Sequence, residues 1–188
     1  TEKLRAQGGK GLAFLVEPQR SPTLHSLFAE VQKAFPAARL VEWEPYIDDG
    51  SLEGTRLLIG QSADVVYDLD RAGAILALDS DFLHTETGAI RNAQKFVSKR
   101  RLNSVADTIQ NRLYVVEGQF SVTGSNADHR LRLLSRDIPG FLGLLATALV
   151  KKGADLEASF VAALAARKVT TANAKLDKFV AAVAKDLV

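Results

Sequence analysis

The sequence of 188 residues contains no cysteine. This absence excludes disulfides, cysteine-ligated zinc, iron–sulfur ligation and thiol catalysis within these residues. Methionine is absent as well and residue 1 is threonine, so we expect the sequence to be a piece of a longer chain. The formal net charge is only +2, from 24 basic and 22 acidic residues, which does not favour a nucleic-acid binder. The longest uncharged apolar stretch, 138–150, is shorter than the ~20 residues of a membrane span.

The composition is ordinary for a soluble globular protein, with 47% apolar and 24% charged residues. The length predicts one domain over residues 1–188, with a core large enough to fold without disulfides or metal ions. Within it we expect residues 1–10 to be a flexible lead-in, since Gly8-Gly9-Lys10-Gly11 precedes the first strand, and residues 152–188 to be a helical tail.

Predicted strands and helices alternate along the chain. Short apolar runs predict strands, and the first of them is expected to be buried on both faces. Stripes of apolar residues and N-cap signals predict helices, with Asp137 as one cap. This alternation predicts an α/β fold, a doubly wound, mostly parallel, Rossmann-like sheet with a C-terminal helical tail. The strands are predicted at 11–17, 39–43, 74–78, 112–116 and 131–133, and the helices at 22–35, 89–99 and in three stretches after 137.

The segment from 44 to 67 gives weaker signals. Asp48-Asp49-Gly50 is typical of a turn, and residues 51–60 favour a short helix. Residues 64–67 fit either a short strand or an extended connection. In the helix at 89–99, Ile90, Ala93 and Val97 are predicted to form one side.

Ligands of doubly wound sheets bind at the carboxyl ends of the strands, which makes three segments candidates. Glu17–Ser21 lacks the G-x-G-x-x-G fingerprint of a pyrophosphate turn. Asp79-Ser80-Asp81 could bind a hard cation or act as acid and base, or could be a helix cap in a solvated loop. The small and hydroxyl residues of 117–129 could cradle a phosphate, or could form a long loop that bonds its own backbone.

Other chemical signals are weaker. His25, His84 and His129 do not have the spacing of a metal site on one helix, so surface roles are expected. A Ser/His/Asp hydrolase lacks its G-x-S-x-G elbow and would need a Ser–His pair within ~3 Å. The cluster of basic residues at the end of the helix predicted at 89–99 is expected to be a solvated helix end, with a docking patch as the alternative. It consists of Lys95, Lys99, Arg100 and Arg101.

Several segments, in their order and spacing over roughly residues 10–150, resemble the molybdopterin oxidoreductase family. More closely, the chain resembles the molybdopterin-oxidoreductase-like region of the large iron–sulfur subunits of alternative complex III, a family of bacterial quinol-oxidising membrane complexes. The segments that carry the likeness are Glu17-Pro18-Gln19, Glu42-Trp43-Glu44-Pro45, Gly54-Thr55-Arg56-Leu57, Leu78–Leu83, Ser121–His129 and Ile138-Pro139-Gly140.

The departures from the family pattern imply a lost cofactor site. Catalytic members place a turn with Gly and Asn where this chain has Asp79-Ser80-Asp81, and Asp-Pro-Arg where it has Glu117-Gly118-Gln119. A carboxylate about 4 Å from a phosphate costs ~1–4 kcal/mol, which disfavours a molybdopterin guanine dinucleotide. The vestigial site implied by the resemblance comprises Asp79, Asp81, Glu117, Gln119, Thr123, Asn126 and Asp128, with no catalytic residue and no metal ligand expected.

The resemblance implies a non-catalytic, cofactor-less scaffold domain of a respiratory iron–sulfur subunit. Its partners would be the cluster-bearing domain of the same chain and other subunits of a membrane complex, with no nucleic acid and no direct membrane span. The implied location is the periplasmic face of the bacterial cytoplasmic membrane. The alternative is an active dinucleotide- or molybdopterin-binding half of an oxidoreductase. In that case the Ser121–Asp128 loop would hold the phosphate, and Glu117 or Asp79 a ribose hydroxyl.

Overall fold

The structure, a computed structural model, describes residues 2–19, 21–45, 50–108 and 111–188. The turn predicted at Asp48-Asp49 lies outside these residues. The strands are β1 (Ala13–Val16), β2 (Arg39–Glu42), β3 (Ala74–Leu78), β4 (Arg112–Glu117) and β5 (His129–Arg132). The helices are α1 (Glu2–Ala6), α2 (Pro22–Ala34), α3 (Gly50–Ile59), α4 (Ala89–Ser98), α5 (Val122–Ser125), α6 (Ile138–Lys151), α7 (Ala158–Ala165) and α8 (Leu176–Asp186).

The chain divides into two compact units, Thr1–Ala63 and Asp64–Val188, which are described separately. The first contains a two-stranded sheet of β1 and β2, and the second a three-stranded sheet in the order β3-β4-β5. Every strand pair is parallel. The predicted α/β class with parallel strands is therefore confirmed, while the single domain stays a prediction.

The first unit contains the strand, helix and strand predicted at 11–17, 22–35 and 39–43. Ser21 caps α2, since its Oγ accepts a hydrogen bond from Leu24 N at 3.4 Å, and Pro22 lies in the first turn. Phe14 and Leu40 are paired across the sheet and line a small apolar cleft together with residues of α2. The paired residues Leu15 and Val41 point to the opposite face and are 69% and 38% exposed. The prediction that β1 is buried on both faces is therefore wrong, because α2 covers one face alone.

The predicted flexible lead-in is ordered in the structure. Residues 2–6 form α1, and Gly9 N donates to Leu4 O at 2.7 Å. Gly9 is buried with φ +84°, and a Cβ at this position would lie 2.7 Å from Phe35 Cβ. Glycine thus allows the chain to turn in contact with the end of α2, so this part of the prediction is corrected.

The sheet of the second unit is covered on both faces. Tyr114 and Val116 of β4 belong to a core with residues of α6 and α8. The alternate residues Leu113 and Val115 belong to a second core with Phe96 of α4. Because successive side chains of a strand point to opposite faces, the continuous apolar run of β4 fits a central strand between helices.

Helix α4 buries a different face from the one predicted. Asn92 and Phe96 are inside, at 0% and 2% exposure, whereas Ile90 and Val97 are 89% and 56% exposed. Asn92 Nδ2 donates to Phe82 O at 3.2 Å, so a polar residue belongs to the inward side. Ile90 and Val97 of the predicted stripe therefore lie on the outer side of this helix, while Ala93 is half-buried.

The C-terminal helices are more than a tail. Val180, Val183 and Ala184 of α8 are buried in the core of the second unit. Asp137, which the sequence predicted as a cap, is fully buried and its carboxylate accepts hydrogen bonds from the backbone and hydroxyl groups of Thr170 and Thr171. This contact fixes the α7–α8 connection to the start of α6.

Helices α6 and α7 pack closely at Gly143, since a Cβ there would lie 2.4 Å from Leu164 O. Gly143→Ala is expected to destabilise the protein by about 1–3 kcal/mol through overpacking. Gly54 in α3 is the matched control, because a Cβ there meets nothing within 4 Å. Gly54→Ala should stabilise by up to about 1 kcal/mol. Urea unfolding of both variants measures the difference, and equal effects would contradict the close packing.

Among the described residues, the helices lack the combination of length and apolar composition that crossing a bilayer requires.

Candidate functional site

Asp79 and Asp81 follow β3 at the carboxyl edge of the β3–β4–β5 sheet, as predicted. Asp79 has φ +46°, a left-handed conformation that is uncommon for residues other than glycine, asparagine and aspartate. Its backbone N donates to Val116 O at 2.8 Å, and its Oδ1 accepts from Gly118 N at 3.0 Å. The side chain therefore joins the ends of β3 and β4.

Asp81 satisfies the backbone at the start of α5. Its Oδ1 accepts hydrogen bonds from Thr123 N at 2.9 Å and Thr123 Oγ1 at 2.8 Å. Thr123 Oγ1 in turn accepts from Leu83 N at 3.1 Å, and Thr123 is fully buried. A carboxylate of the protein thus lies where an N-terminal amide of α5 points, which is the kind of position that favours an anion.

Glu117, at the end of β4, has a buried carboxylate whose oxygens are engaged by neighbours. Arg130 Nε donates to Glu117 Oε1 at 2.5 Å, and Ser121 Oγ donates to Oε2 at 2.6 Å. The Glu117 side chain is 4% exposed and that of Arg130 is 25% exposed. Because both oxygens already accept hydrogen bonds, the Glu117 carboxylate has little acceptor capacity left for a ligand.

Gly124 allows this arrangement because it lies directly against the Glu117 carboxylate. A Cβ at Gly124 would be 1.9 Å from Glu117 Oε1. Ser121 caps the short helix, with its Oγ accepting from Gly124 N at 2.8 Å. The stretch 117–129, for which a long loop was one alternative, is therefore a tight crossover built around α5.

The prediction that Asp128 belongs to this edge is wrong, because Asp128 lies at the amino edge of the sheet. Its Oδ2 accepts from Leu113 N, near the start of β4, at 2.8 Å, and the carboxylate pairs with the Arg100 guanidinium. Burial raises the pKa of Asp128, but the hydrogen bonds from Arg100 and Leu113 N outweigh it and the net pKa is lowered. Residues 122–128, which begin with α5, carry the chain from one edge to the other, so Ser121 and Asp128 lie at opposite edges of the sheet.

The remaining predicted residues do not converge on the carboxylates. Asn126 is exposed and donates from Nδ2 to Val122 O at 2.8 Å, within its own helical turn. Gln119 is exposed, and its carbonyl accepts from Arg130 Nη2 at 3.4 Å. The structure therefore brings together Asp79, Asp81, Glu117 and Thr123 at one edge, and separates Asn126 and Asp128 from them.

The predicted solvated cluster at the end of α4 is in part engaged within the fold. Lys95 pairs with Asp70 at 2.7 Å and with Asp68 at 3.4 Å. Arg100 pairs with Asp128 and its side chain is 18% exposed. Arg101 is exposed as predicted. The prediction is corrected for Lys95 and Arg100, whose partners are distant in the sequence.

A second polar network beside the candidate site was missed. Glu86 accepts hydrogen bonds from Ser80 Oγ at 2.5 Å and from Tyr67 OH at 3.0 Å. Burial raises the pKa of Tyr67, and the neighbouring Glu86 carboxylate raises it further. No spacing rule links these three residues, so the sequence offers no signal for the network.

The histidines have separate environments. His25 Nε2 lies 2.6 Å from Gln19 O, His84 Nδ1 lies 3.5 Å from Asp81 Oδ2, and His129 stacks on Tyr114. None of these contacts joins a histidine to a serine hydroxyl. Within the part of the chain that the structure describes, no group of three or more histidine, aspartate or glutamate residues is arranged to hold a metal ion.

The carboxylates at this edge bind donor groups of the protein itself. Asp79 holds a strand end, Asp81 holds the start of α5, and Glu117 holds Arg130 and Ser121. Asp79 is the member whose residue is exposed to solvent. This geometry resembles a filled crevice more than a set of groups directed at a ligand.

Asp79 gives a stability test of this geometry. Asp79→Asn keeps an oxygen acceptor and tolerates the left-handed backbone, so the free energy of unfolding should change by no more than about 0.5 kcal/mol. Asp79→Val removes the acceptor and places a β-branched residue at positive φ, which should cost about 2 kcal/mol. Chemical denaturation of the two variants distinguishes them, and equal stability would contradict the bond to Gly118 N.

No protein-family model matches the chain, and no significant match is found among curated proteins.

Proposed function

We propose that the chain is a non-catalytic, molybdopterin-oxidoreductase-like scaffold domain of a respiratory iron–sulfur subunit. The observation that carries the proposal is the internal pairing at the carboxyl edge of the sheet. Asp81 bonds the start of α5, and Glu117 bonds Arg130 and Ser121. In a doubly wound sheet this edge normally receives the ligand.

The charge of this edge also supports a scaffold. A dinucleotide carries phosphates, whereas Asp79 and Asp81 place carboxylates where the chain leaves β3. Admitting a phosphate would require the Asp81 carboxylate to leave Thr123 N and the Thr123 hydroxyl. The lost charge-assisted hydrogen bonds and the like-charge repulsion both oppose cofactor binding.

The partners and the location follow from the resemblance and belong to the proposal. The chain would pack against a cysteine-bearing, cluster-binding part of the same subunit and against other subunits, on the periplasmic face of the cytoplasmic membrane. Electrons would pass from quinol to an acceptor through that other part. Residues 1–188 contribute shape and contact surface to the complex and hold no cofactor.

Quinol oxidation by the assembled complex tests the scaffold role. Asp79→Asn is expected to leave both assembly and turnover per complex unchanged. Gly124→Ala, which disturbs the packing around Glu117, should lower the amount of complex while each assembled complex keeps its turnover. Lost turnover in a correctly assembled Asp79→Asn complex would refute the proposal and favour the alternative, an active cofactor-binding half.

A further inference from the structure

The outer side of α4 presents apolar side chains that the fold leaves uncovered. Ile90 and Val97 are 89% and 56% exposed, and their separation of seven residues places them on one stripe of the helix. The segment that follows the helix adds Leu102 and Val105, at 51% and 109% exposure. A run of exposed apolar groups also ends α3, at Leu57, Leu58 and Ile59, but the neighbouring Arg56 is paired with Glu53. The α4 stretch differs in the basic residues that accompany its apolar groups.

The same stretch is basic. Residues 87–106 contain five lysine or arginine residues and no aspartate or glutamate, and the nearest carboxylates are Glu86 before this stretch and Asp107 after it. Glu86 is bonded to Ser80 and Tyr67, and Asp107 to Asn103 N and Ser104 N. Lys95 is paired with Asp68 and Asp70, and Arg100 with Asp128, so these two cations are neutralised within the fold. Arg91 and Arg101 are exposed, and in the sequence they adjoin Ile90 and Leu102. We call Ile90, Arg91, Val97, Arg101, Leu102 and Val105 the α4 surface.

We propose that the α4 surface binds an anionic lipid bilayer from one side. A basic amphipathic helix with protruding apolar groups lies in the plane of a bilayer interface, with its cations among the headgroups. A bilayer accepts such groups without a shape-matched pocket, which fits the nearly complete exposure of Ile90 and Val105. With 10 residues, α4 is too short to span the ~30 Å hydrocarbon core, so the contact is peripheral.

The expected strength of binding to an anionic bilayer follows from the two exposed cations and the apolar stripe. Each cation near an anionic surface strengthens partitioning about fivefold at low salt, so two give roughly 25-fold. Inserting Ile90 and Val97 adds an apolar contribution that salt does not screen. Binding should therefore weaken at high salt and also respond to changes that leave the charge unaltered. This contact is independent of the proposed scaffold role.

Vesicle sedimentation tests the proposal with the 188-residue chain. The chain should sediment with vesicles containing about one third phosphatidylglycerol, and much less with vesicles of phosphatidylcholine alone. Arg91→Gln with Arg101→Gln should lower the partition coefficient roughly 25-fold. Ile90→Asn with Val97→Asn should lower it at all salt concentrations. The control combines Phe160→Asn, at an exposed apolar residue of α7, with Lys178→Gln on α8, and should bind as the unaltered chain does.

The substituted side chains are exposed, so the variants should fold, and their melting temperatures confirm this before binding is measured. Equal binding to both kinds of vesicle would overturn the proposal, as would α4 variants that bind as strongly as the control. A folded chain that does not sediment with anionic vesicles would also overturn it and indicate a protein as the occupant of the α4 surface. None of these outcomes bears on the scaffold role, which is measured by quinol oxidation.

Discussion

Gly124→Ala is expected to destabilise the protein by about 3 kcal/mol, the scale of breaking a buried ion pair. The added methyl group would lie 1.9 Å from Glu117 Oε1, so the carboxylate has to leave its position. Its movement weakens the bonds to Arg130 and Ser121 and leaves a buried charge without full compensation. Guanidinium denaturation followed by circular dichroism measures the loss.

The expected loss of stability in Gly124→Ala is opposite in sign to the usual effect of replacing glycine by alanine in a helix. In a helix interior, replacing glycine by alanine normally stabilises by up to about 1 kcal/mol, and Gly54→Ala in α3 should show that gain. Glycine at 124 is therefore required by the space beside Glu117. If Gly124→Ala were as stable as Gly54→Ala, the buried position of the Glu117 carboxylate would be wrong.

Asp137→Asn is expected to lower the melting temperature at neutral pH by about 5–10 °C. The amide offers one acceptor oxygen and places an NH₂ group against the donors of Thr170 or Thr171. Backbone and hydroxyl donors of both threonines are now satisfied by the carboxylate, with Thr170 N at 2.8 Å and Thr170 Oγ1 at 2.6 Å. Asp155→Asn, at an exposed position, is the control and should shift the melting temperature by no more than about 2 °C.

The difference in stability between the unaltered protein and Asp137→Asn should depend on pH. The hydroxyls of Thr170 and Thr171, together with the backbone N of Thr170, hold the pKa of Asp137 far below its usual range. A depressed folded-state pKa gives stability that is present above the unfolded pKa of about 4 and is lost as the pH falls below it. The difference in melting temperature between the unaltered protein and Asp137→Asn should therefore become smaller below about pH 4. A gap that widens on acidification would contradict the charged state of Asp137.

The strands and most helices could be predicted because their signals are local. The apolar run of β4 and the Ser21-Pro22 start of α2 depend on near neighbours, and parallel pairing follows from the alternation of strands with helices. The positions of Asp79 and Asp81 follow from the same logic, since they come directly after β3. Periodicity and capping rules are sufficient to predict these features.

The predictions fail where contacts between residues distant in the sequence determine the structure. Asn92 is buried on α4 because its amide reaches Phe82 O, which no helical period reveals. Asp128 was grouped with Ser121 because the sequence gives no sign that residues 122–128 cross between the two edges of the sheet. Arg130 was missed as the partner of Glu117. Register places Arg132 opposite Glu117, so the pairing depends on side-chain reach rather than on strand alignment.

We propose that the carboxyl edge of the β3–β4–β5 sheet is filled by its own side chains and binds no dinucleotide. The most direct measurement is the melting temperature of the chain with GDP, the guanosine diphosphate part of a guanine dinucleotide, and separately with NAD. A ligand at 100 times its dissociation constant would stabilise the protein by ~2.7 kcal/mol, which corresponds to about 5–10 °C for a chain of this size. We expect no shift with either nucleotide up to millimolar concentration, and a saturable rise of the melting temperature with either one would contradict the proposed filled edge.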